Sequence, residues 1–361
     1  MTTSLRVVDD AGAPSTSGAR APASGARTAV ILVNVGTPAS PATGDVRRYL
    51  REFLSDARVL DIHPLARWAL LSFVILPFRS PKSAAQYRSI WTDAGSPLLV
   101  HGRALVEKVQ ARLPGAEVLL AMRYGAPSLA DAVAHVRDRG ITRAVLVPLF
   151  PQYASASTGT AVARAFELFG ALPRVPDVSV VPPFFLDDGF LDSAASIIRE
   201  VTNAKPVDHL LFSYHGLPLH QVQRIHATCA GTDACCAVLG PDNASCYRAQ
   251  CLATTRALVQ RLGITKYSTS FQSRLGRAVW LLPNTENVLD DLARAGVKRL
   301  GVACPSFVSD CLETVEEIGV RAHERFRAAG GDELVRIPCV NAADAFADAV
   351  VGLVRRAGGL A

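Results

Sequence analysis

TAVILVNV, residues 28–35, runs directly into the turn Gly36-Thr37-Pro38. The run is almost entirely aliphatic and rich in β-branched residues, which is typical of a strand buried on both faces of a parallel sheet. The same succession recurs at residues 208–218, where DHLLFSYH leads into Gly216-Leu217-Pro218. Gly36 and Gly216 lie 180 residues apart. The recurrence predicts two units, each built around such a strand.

A second pair of segments supports this division. RGITRAVLVPLF at 139–150 resembles AGVKRLGVACPS at 295–306, and each combines a helix end, a glycine cap and a buried strand. We therefore predict an α/β protein with two similar Rossmann-like lobes, at residues 28–186 and 187–361, each a parallel sheet flanked by helices. Independent convergence of βαβ units is the alternative to duplication. Ligands of such sheets bind beyond the carboxyl ends of the strands, so the predicted site is the cleft between the lobes.

Composition and the absence of certain motifs narrow the range of possible functions. The chain has 361 residues, 49% of them apolar and 19% charged, which excludes disorder for most of its length. Its net charge of +6 is spread along the chain, and this gives little support to nucleic-acid binding. A modest positive charge suits an anionic small molecule or an acidic membrane surface. The sequence contains no GxGxxG, P-loop or GxSxG motif, so dinucleotide-binding enzymes, P-loop NTPases and serine hydrolases are disfavoured.

Two segments of the sequence bear on where in the cell the protein acts. Residues 1–27 are rich in Ala, Ser, Thr, Gly and Pro and lack an apolar core, which predicts a disordered tail rather than a signal peptide, and a cytoplasmic protein. The longest apolar stretch, Trp68 to Phe78, is too short to span a bilayer. It favours a buried helix, and the alternative is an amphipathic segment in peripheral contact with a membrane.

Candidate chemistry lies just after the predicted strands. His215 ends one strand and is followed by a glycine that leaves its imidazole accessible, although a buried structural histidine is the alternative. Asp310 and Glu313 follow another strand, three residues apart, and would share one face of a helix. Acidic residues that complement a helix dipole are the plainer interpretation of that pair. Together a base and carboxylates could relay protons or bind a divalent metal such as ferrous iron.

The sequence resembles the ferrochelatases. Seven motifs carry the resemblance in order: LVNVGTP at 32–38, QYRSIW with GSPL within 86–98, AMRYGAPS at 121–128, VPLFPQY at 147–153 with STG at 157–159, FSYHGLP at 212–218, FQSRLG with WLLPNT within 271–285, and SFVSDCLET at 306–314. The resemblance implies a class II chelatase-like fold with a porphyrin cleft between two lobes. It also implies the last step of haem biosynthesis, insertion of Fe²⁺ into protoporphyrin IX with release of two protons.

The same resemblance assigns roles to residues. It implies that His215 and Glu313 are catalytic and contact the iron, without deciding which does so first, and that Asp310 lies with Glu313 on the side of metal delivery or proton exit. The expected porphyrin contacts are Arg123, Tyr124, Tyr153 and Trp280.

Other consequences of the resemblance concern substrate and partners. Two positions depart from the family pattern: Cys311 stands where relatives often have histidine, and Val35 where some have Met or Tyr. The aliphatic segment Leu65–Phe78 matches the lip of members that take protoporphyrin rather than coproporphyrin. A porphyrin oxidase is an expected partner. A cobalt or nickel insertase, a tetrapyrrole carrier and an iron-sulfur sensor are the competing functions.

Cysteines are concentrated in one insert at 229–251. Five of the eight lie there: Cys229, Cys235, Cys236, Cys246 and Cys251. Thiolates in such density hold an iron-sulfur cluster or a structural zinc, although this spacing matches no standard pattern. Because some ferrochelatases carry a 2Fe-2S cluster, we expect four of these five to ligate one here. Zinc and free or redox-sensing thiols are the alternatives.

Overall fold

The computed structural model describes residues 27–358 except 228, 230–232, 275 and 277. Two four-stranded parallel sheets, flanked by helices, form its frame. The strands are β1 Thr28–Thr37, β2 Ala116–Gly125, β3 Arg143–Pro148, β4 Asp177–Val180, β5 His209–His215, β6 Tyr267–Gln272, β7 Arg299–Ala303 and β8 Glu333–Arg336. The predicted α/β class is confirmed, whereas residues 1–26 of the predicted tail lie outside the described residues.

Helices connect the strands. They are α1 Thr43–Ser55, α2 Pro64–Leu70, α3 Leu76–Ile90, α4 Pro97–Arg112, α5 Leu129–Asp138, α6 Thr160–Gly170, α7 Asp188–Ala204, α8 Leu219–Ile225, α9 Asp233–Cys236, α10 Tyr247–Leu262, α11 Thr285–Arg294, α12 His323–Ala328 and α13 Asp344–Gly358. π-Helical turns occupy Leu71–Ile75, Ser155–Gly159 and Glu313–Ala322, and a 3-10 turn occupies Pro241–Asn243.

The two sheets repeat one topology. Their strand orders are β2-β1-β3-β4 and β6-β5-β7-β8, so each strand of the first sheet has its counterpart four strands later. The strands that end before Gly36 and Gly216 are β1 and β5, and each lies second in its sheet. The segments at 139–150 and 295–306 contain β3 and β7, again in equivalent places. The structural repeat inferred from the sequence is therefore confirmed.

Glycine permits close approach at both equivalent turns. Gly36 has φ +117°, and a Cβ there would lie 1.8 Å from the carbonyl oxygen of Tyr124. A Cβ on Gly216 would lie 2.7 Å from the carbonyl oxygen of Gln272 and 3.3 Å from Trp280 Cε3. Neither turn accommodates a larger residue without displacing the neighbouring strand end. Both turns therefore keep two strand ends close together at the edge of the cleft.

The last helix joins the lobes. α13 packs on α7 and also on α4 and β3 of the first sheet. Arg112 of α4 forms ion pairs with Asp344 at 3.0 Å and Asp348 at 2.6 Å. One apolar core runs continuously from β1, β3 and α4 through α7 to α10 and α13. The boundary between residues 186 and 187 stays a prediction, since the end of the second segment contacts the first lobe.

The apolar segment after α1 is helical and only partly buried. Leu65, Trp68, Phe73 and Phe78 are between 59% and 72% exposed, whereas Leu71 and Leu76 are 3% and 1% exposed. A buried helix is therefore wrong for the four exposed positions, and peripheral contact with a membrane stays a prediction. Pro64, Pro77 and Pro81 accompany a π-helical turn here, which interrupts the regular helical face. Within the described ranges, no helix is long and apolar enough to cross a membrane.

Candidate active site

His215 occupies the carboxyl end of β5 and is half-buried. Its backbone N–H donates to Ser306 Oγ at 3.0 Å. Its Nδ1 lies 2.6 Å from the carbonyl oxygen of Gly216. A carbonyl only accepts hydrogen bonds, so Nδ1 carries the ring proton and Nε2 keeps its lone pair. In this tautomer Nε2 is the atom that can take a proton.

Three glutamates lie on the π-helical turn that follows β7, and two of them, Glu313 and Glu317, bond to residues at the end of β6. The backbone carbonyl of Glu313 accepts from Gln272 Nε2 at 2.9 Å. The Glu317 carboxylate accepts from the backbone N–H of Ser273 at 2.8 Å and from its hydroxyl at 2.7 Å. Ser273 adopts φ +66°, a left-handed conformation that costs a non-glycine residue energy and aims both donors at one carboxylate. Gln272 and Ser273, the residues at the end of β6, thus hold this turn in place.

The pKa of Glu317 is raised. Burial is the main cause, the Ser273 hydrogen bonds oppose it, the negative charge of Glu313 adds to it and His215 partly offsets it. Glu317 is therefore electrostatically coupled to both predicted catalytic residues, and it retains a proton to a higher pH than an ordinary glutamate. The sequence analysis missed Glu317. Its position four residues after Glu313 was the available signal, because that spacing puts two helical side chains on neighbouring turns.

Helices α1 and α3 of the first lobe face this acidic turn. Burial raises the pKa of Tyr49 and Tyr87, and the charge of Glu313 raises both further. Their rings meet edge to face with centroids 6.5 Å apart. Burial lowers the pKa of Arg79, and Glu313 partly restores it. Arg79 is thus a partly buried cation within range of Glu313, and the sequence analysis did not identify it because it lies inside a helix rather than after a strand.

The first lobe contributes a fully paired network around Asp56. The carboxylate oxygen Oδ2 accepts from Arg123 at 2.6 Å, from the Tyr124 hydroxyl at 2.9 Å and from the Thr160 hydroxyl at 2.5 Å. Arg123 Nε also donates to Thr160 at 2.8 Å, and its guanidinium lies 4.4 Å from the centroid of the Tyr124 ring. Asp56 follows α1 and was not singled out from the sequence, because nothing local marks it as the partner of β2.

Asp56 stays ionised in this network. Burial alone would raise its pKa, but hydrogen bonds from Thr160, the Arg58 backbone N–H and Tyr124, together with the Arg123 charge, bring it below the ordinary value. The predicted porphyrin contacts Arg123 and Tyr124 are therefore brought together by one carboxylate.

Asp310 lies apart from Glu313. Its Oδ1 accepts from Arg336 at 2.8 Å and from Thr314 at 2.9 Å, and its Oδ2 accepts from Asn341 at 3.0 Å. The expectation that Asp310 and Glu313 share a helical face is wrong, because Asp310 precedes the helix and turns toward the end of β8. Burial opposes ionisation, but Arg336, Asn341 and Thr314 together lower the pKa of Asp310.

Tyr153 and Trp280 border the cleft from different elements. The Tyr153 backbone N–H donates to Gln250 Oε1 at 2.7 Å, and its hydroxyl lies beside Gly159. Trp280 is half-buried, pairs with Pro218 through a backbone bridge and packs against Gly216. Trp280 therefore lies next to the turn that follows His215. Contact of either side chain with a porphyrin stays a prediction.

The cysteine-rich insert is largely buried. Cys229, Cys236, Cys246 and Cys251 are at most 3% exposed, and Cys235 is half-buried. The Sγ atoms of Cys235 and Cys236 are 3.6 Å apart. A hydrogen bond between the thiols of Cys236 and Cys246 lowers the pKa of Cys246 and raises that of Cys236. Among the described residues, however, no three His, Cys, Asp or Glu side chains are arranged to hold a metal ion.

Comparisons with known proteins agree with the sequence motifs. The family model described as ferrochelatase matches residues 27–358. A curated ferrochelatase of Opitutus terrae is 43% identical over 335 residues, which cover 91% of this chain and 96% of that protein. Those of Legionella pneumophila (strain Philadelphia 1) and Coxiella burnetii (strain CbuK_Q154) are 41% and 40% identical, covering 87% and 91% of this chain and 95% and 93% of theirs.

A solved structure supports the fold alone. SirB from Bacillus subtilis with Fe³⁺ superposes with a TM-score of 0.53 at 12% identity, covering 92% of this chain and 96% of that one.

Proposed function

The chain belongs to the ferrochelatase family, and on that premise we propose that His215 is the base that removes the pyrrole protons as iron enters the porphyrin. The activity itself is that of a ferrochelatase, a lyase that inserts Fe²⁺ into a porphyrin. The observation that carries the proposal is the tautomer of His215, whose Nδ1 proton is committed to Gly216. The lone pair on Nε2 is then free to accept a proton.

The π-helical turn Glu313–Ala322 accepts the protons that His215 removes from the porphyrin. Insertion releases two protons for each Fe²⁺ bound, so charge balance requires a route for both. Glu313 and Glu317 lie within electrostatic range of each other, and the raised pKa of Glu317 lets it hold a proton. We assign Glu313 to the iron and to the first transfer, and Glu317 to the next. Asp310, paired with Arg336, anchors the start of this turn and takes no proton itself.

The first lobe binds the macrocycle. A porphyrin is a flat apolar disc with anionic carboxylates, which guanidinium groups bind and aromatic rings stack on. Arg79 and Arg123 are the cations offered by this wall, and Tyr153 is its aromatic contact, with Trp280 opposite. The predicted porphyrin contact of Tyr124 does not fit its burial: it is 1% exposed and donates to Asp56, so it supports Arg123 instead. Contacts remote from the nitrogens can bend the ring and expose their lone pairs to the metal.

The function is tested by anaerobic incubation of the protein with Fe²⁺ and protoporphyrin IX. Loss of porphyrin fluorescence with formation of haem in many turnovers is expected. Binding of one porphyrin per chain without turnover would identify a carrier instead. Faster insertion of Co²⁺ or Ni²⁺ than of Fe²⁺ under the same conditions would contradict the assignment of iron as substrate.

We further propose protoporphyrin IX as the porphyrin, and peripheral contact with a membrane in a cytoplasmic protein. The exposed side chains Leu65, Trp68, Phe73 and Phe78 support this, since such a surface suits an apolar substrate and a lipid interface. Replacing Phe73 and Phe78 by serine should reduce sedimentation with anionic lipid vesicles, whereas Val175→Ser, an exposed change after α6, should not. A porphyrin oxidase that releases substrate at the membrane would be the matching partner. A preference for coproporphyrin would overturn the substrate proposal.

A 2Fe-2S cluster in the insert is a separate proposal. Five cysteines in one segment, four of them buried, supply the chemistry of a four-thiolate site. The side chains do not themselves form such a group, so cluster binding would require them to move together. Metal insertion is redox-neutral, and a bound cluster would brace the insert or sense oxidants. We expect a brown protein with two iron and two acid-labile sulfide per chain. One zinc without sulfide, or all eight thiols of the chain open to alkylation after denaturation with no metal released, would reject the cluster.

A further inference from the structure

Tyr247 connects the cysteine-rich insert to the end of β5. It is the first residue of α10, directly after Cys246, and is 6% exposed. Its hydroxyl donates to the backbone carbonyl oxygen of His215 at 2.8 Å. Cys251, one turn further along α10, and Ser306 both lie close enough to the Tyr247 hydroxyl to influence its pKa. One buried side chain therefore bonds to the histidine backbone, directly follows Cys246 and lies near a second cysteine of the insert.

On the side that faces β7, the end of β5 is not paired with a neighbouring strand. β5 pairs with β6 as far as His215 opposite Gln272, but its pairing with β7 stops at Phe212 opposite Ala303. The backbone groups of His215 that would face β7 thus lack ladder partners. Side chains replace them: Ser306 Oγ accepts from the His215 N–H at 3.0 Å, and the Tyr247 hydroxyl donates to its carbonyl. Buried backbone groups require such partners.

We propose that Tyr247 is a positioning residue, which fixes the backbone of His215 and ties its placement to the cysteine-rich insert. The proposal rests on the assignment of His215 as the base. A proton acceptor misplaced by a fraction of an ångström loses rate while the porphyrin contacts on the opposite wall stay intact. Any change that moves Cys246 or Cys251 moves the first turn of α10, and with it the hydroxyl that holds His215.

The first test separates positioning from folding. Tyr247→Phe removes one oxygen and keeps the ring, so we expect kcat to fall about tenfold, with KM for porphyrin within about twofold and the acid limb of the pH profile displaced. Tyr267→Phe, at the exposed start of β6, is the matched control and should match the parent protein. Ser306→Ala removes the other clamp on the same backbone, and it carries the test if Tyr247→Phe does not fold. An unchanged kcat and pH profile in the folded variant would overturn the proposal.

The second test concerns the link to the insert. Cys251→Ala should lower kcat in the parent protein and have no further effect in the Tyr247→Phe background, because both changes act through the same hydroxyl. Additive losses would show that the insert acts by another route and would overturn the link. His215→Ala distinguishes failure of the base assignment from failure of the positioning proposal. If His215→Ala stays active, His215 is not the base. If His215→Ala is inactive and Tyr247→Phe has normal activity, only the positioning role of Tyr247 is rejected.

Discussion

The two lobes place half-buried carboxylates in opposite electrostatic settings. In the first lobe Asp56 accepts from Arg123, Tyr124 and Thr160, and its pKa is lowered. In the second lobe burial and a neighbouring carboxylate raise the pKa of Glu317. A carboxylate beside a cation stays ionised and fixes its partners, whereas one beside another carboxylate keeps a proton to give or take. We therefore propose that the first wall holds the residues that bind the porphyrin and that the second wall transfers protons.

A second difference between the lobes lies at equivalent strand ends of the repeat. His215 lies opposite Gln272 at the ends of β5 and β6. The corresponding place in the first sheet lies between the pairs Asn34–Met122 and Gly36–Tyr124, and is occupied by Val35 and Arg123. The proposed base in one lobe thus corresponds to an aliphatic residue, Val35, in the other. One topology has supplied two frameworks whose chemistry is set by the side chains at the strand ends.

Removing the base should have the largest effect. His215→Ala is expected to lower kcat by about a thousandfold, in the range for loss of a positioned general base. Porphyrin binding, followed by fluorescence quenching, should persist because the opposing wall is unchanged. His209→Ala, at the start of the same strand with Nε2 bonded to Ser268, is the control. Loss of porphyrin binding in His215→Ala would contradict the division between a holding and a reacting wall.

Glu317→Gln should lower kcat by about thirtyfold, since it removes a proton carrier but leaves the base. Stability gives an independent readout. A raised pKa in the folded state favours folding at low pH, and that contribution is lost as pH rises through the folded-state value. The thermal stability of the variant relative to the parent protein should therefore increase as pH rises above the ordinary pKa of a glutamate. Glu324→Gln, exposed on the following helix, should change neither property, and a variant with the parent's pH dependence would refute the shift.

Asp56→Asn tests the holding wall. Without its carboxylate, Arg123 and Tyr124 lose their common acceptor, so we expect KM for porphyrin to rise about tenfold while kcat changes by less than about threefold. Steady-state kinetics at several porphyrin concentrations measure the split. Asp93→Asn, in an exposed loop, is the control. A fall in kcat at unchanged KM would place Asp56 with the reacting groups instead.

Asp310→Asn should affect catalysis least. Asp310 resembles Asp56 in being held by an arginine, so we expect kcat within about threefold of the parent but reduced thermal stability at pH 7. Its lowered pKa stabilises the fold above the unfolded-state value, and this contribution disappears as pH falls through the folded-state value. The difference between variant and parent should therefore shrink toward pH 3. A difference that is constant with pH would indicate a packing defect rather than loss of the ion pair.

The sequence predicted the architecture well because strand burial and glycine turns are local signals. It also singled out His215, which ends a buried strand, and Glu313, which follows one, because α/β sheets bind ligands at such strand ends, and their catalytic roles stay a prediction. Glu317 carried a local signal in its spacing from Glu313 and was overlooked. Asp56, Arg79 and Tyr247 were missed for a common reason. Each acts through a partner distant in sequence. No local pattern predicts that Asp56 will bond to residues of β2, or that the start of α10 will contact the end of β5. The prediction that Asp310 shares a helical face with Glu313 was wrong because the helix begins only after Asp310.

The packing of α13 has a consequence for synthesis. Phe346, Val350 and Val354 complete the apolar layer that covers β1 and β3, the strands made early in translation. Although domains generally fold in the order in which they emerge, the amino-terminal lobe here lacks part of its cover until the last helix leaves the ribosome. Part of the apolar surface of β1 and β3 therefore stays uncovered during synthesis until α13 has emerged.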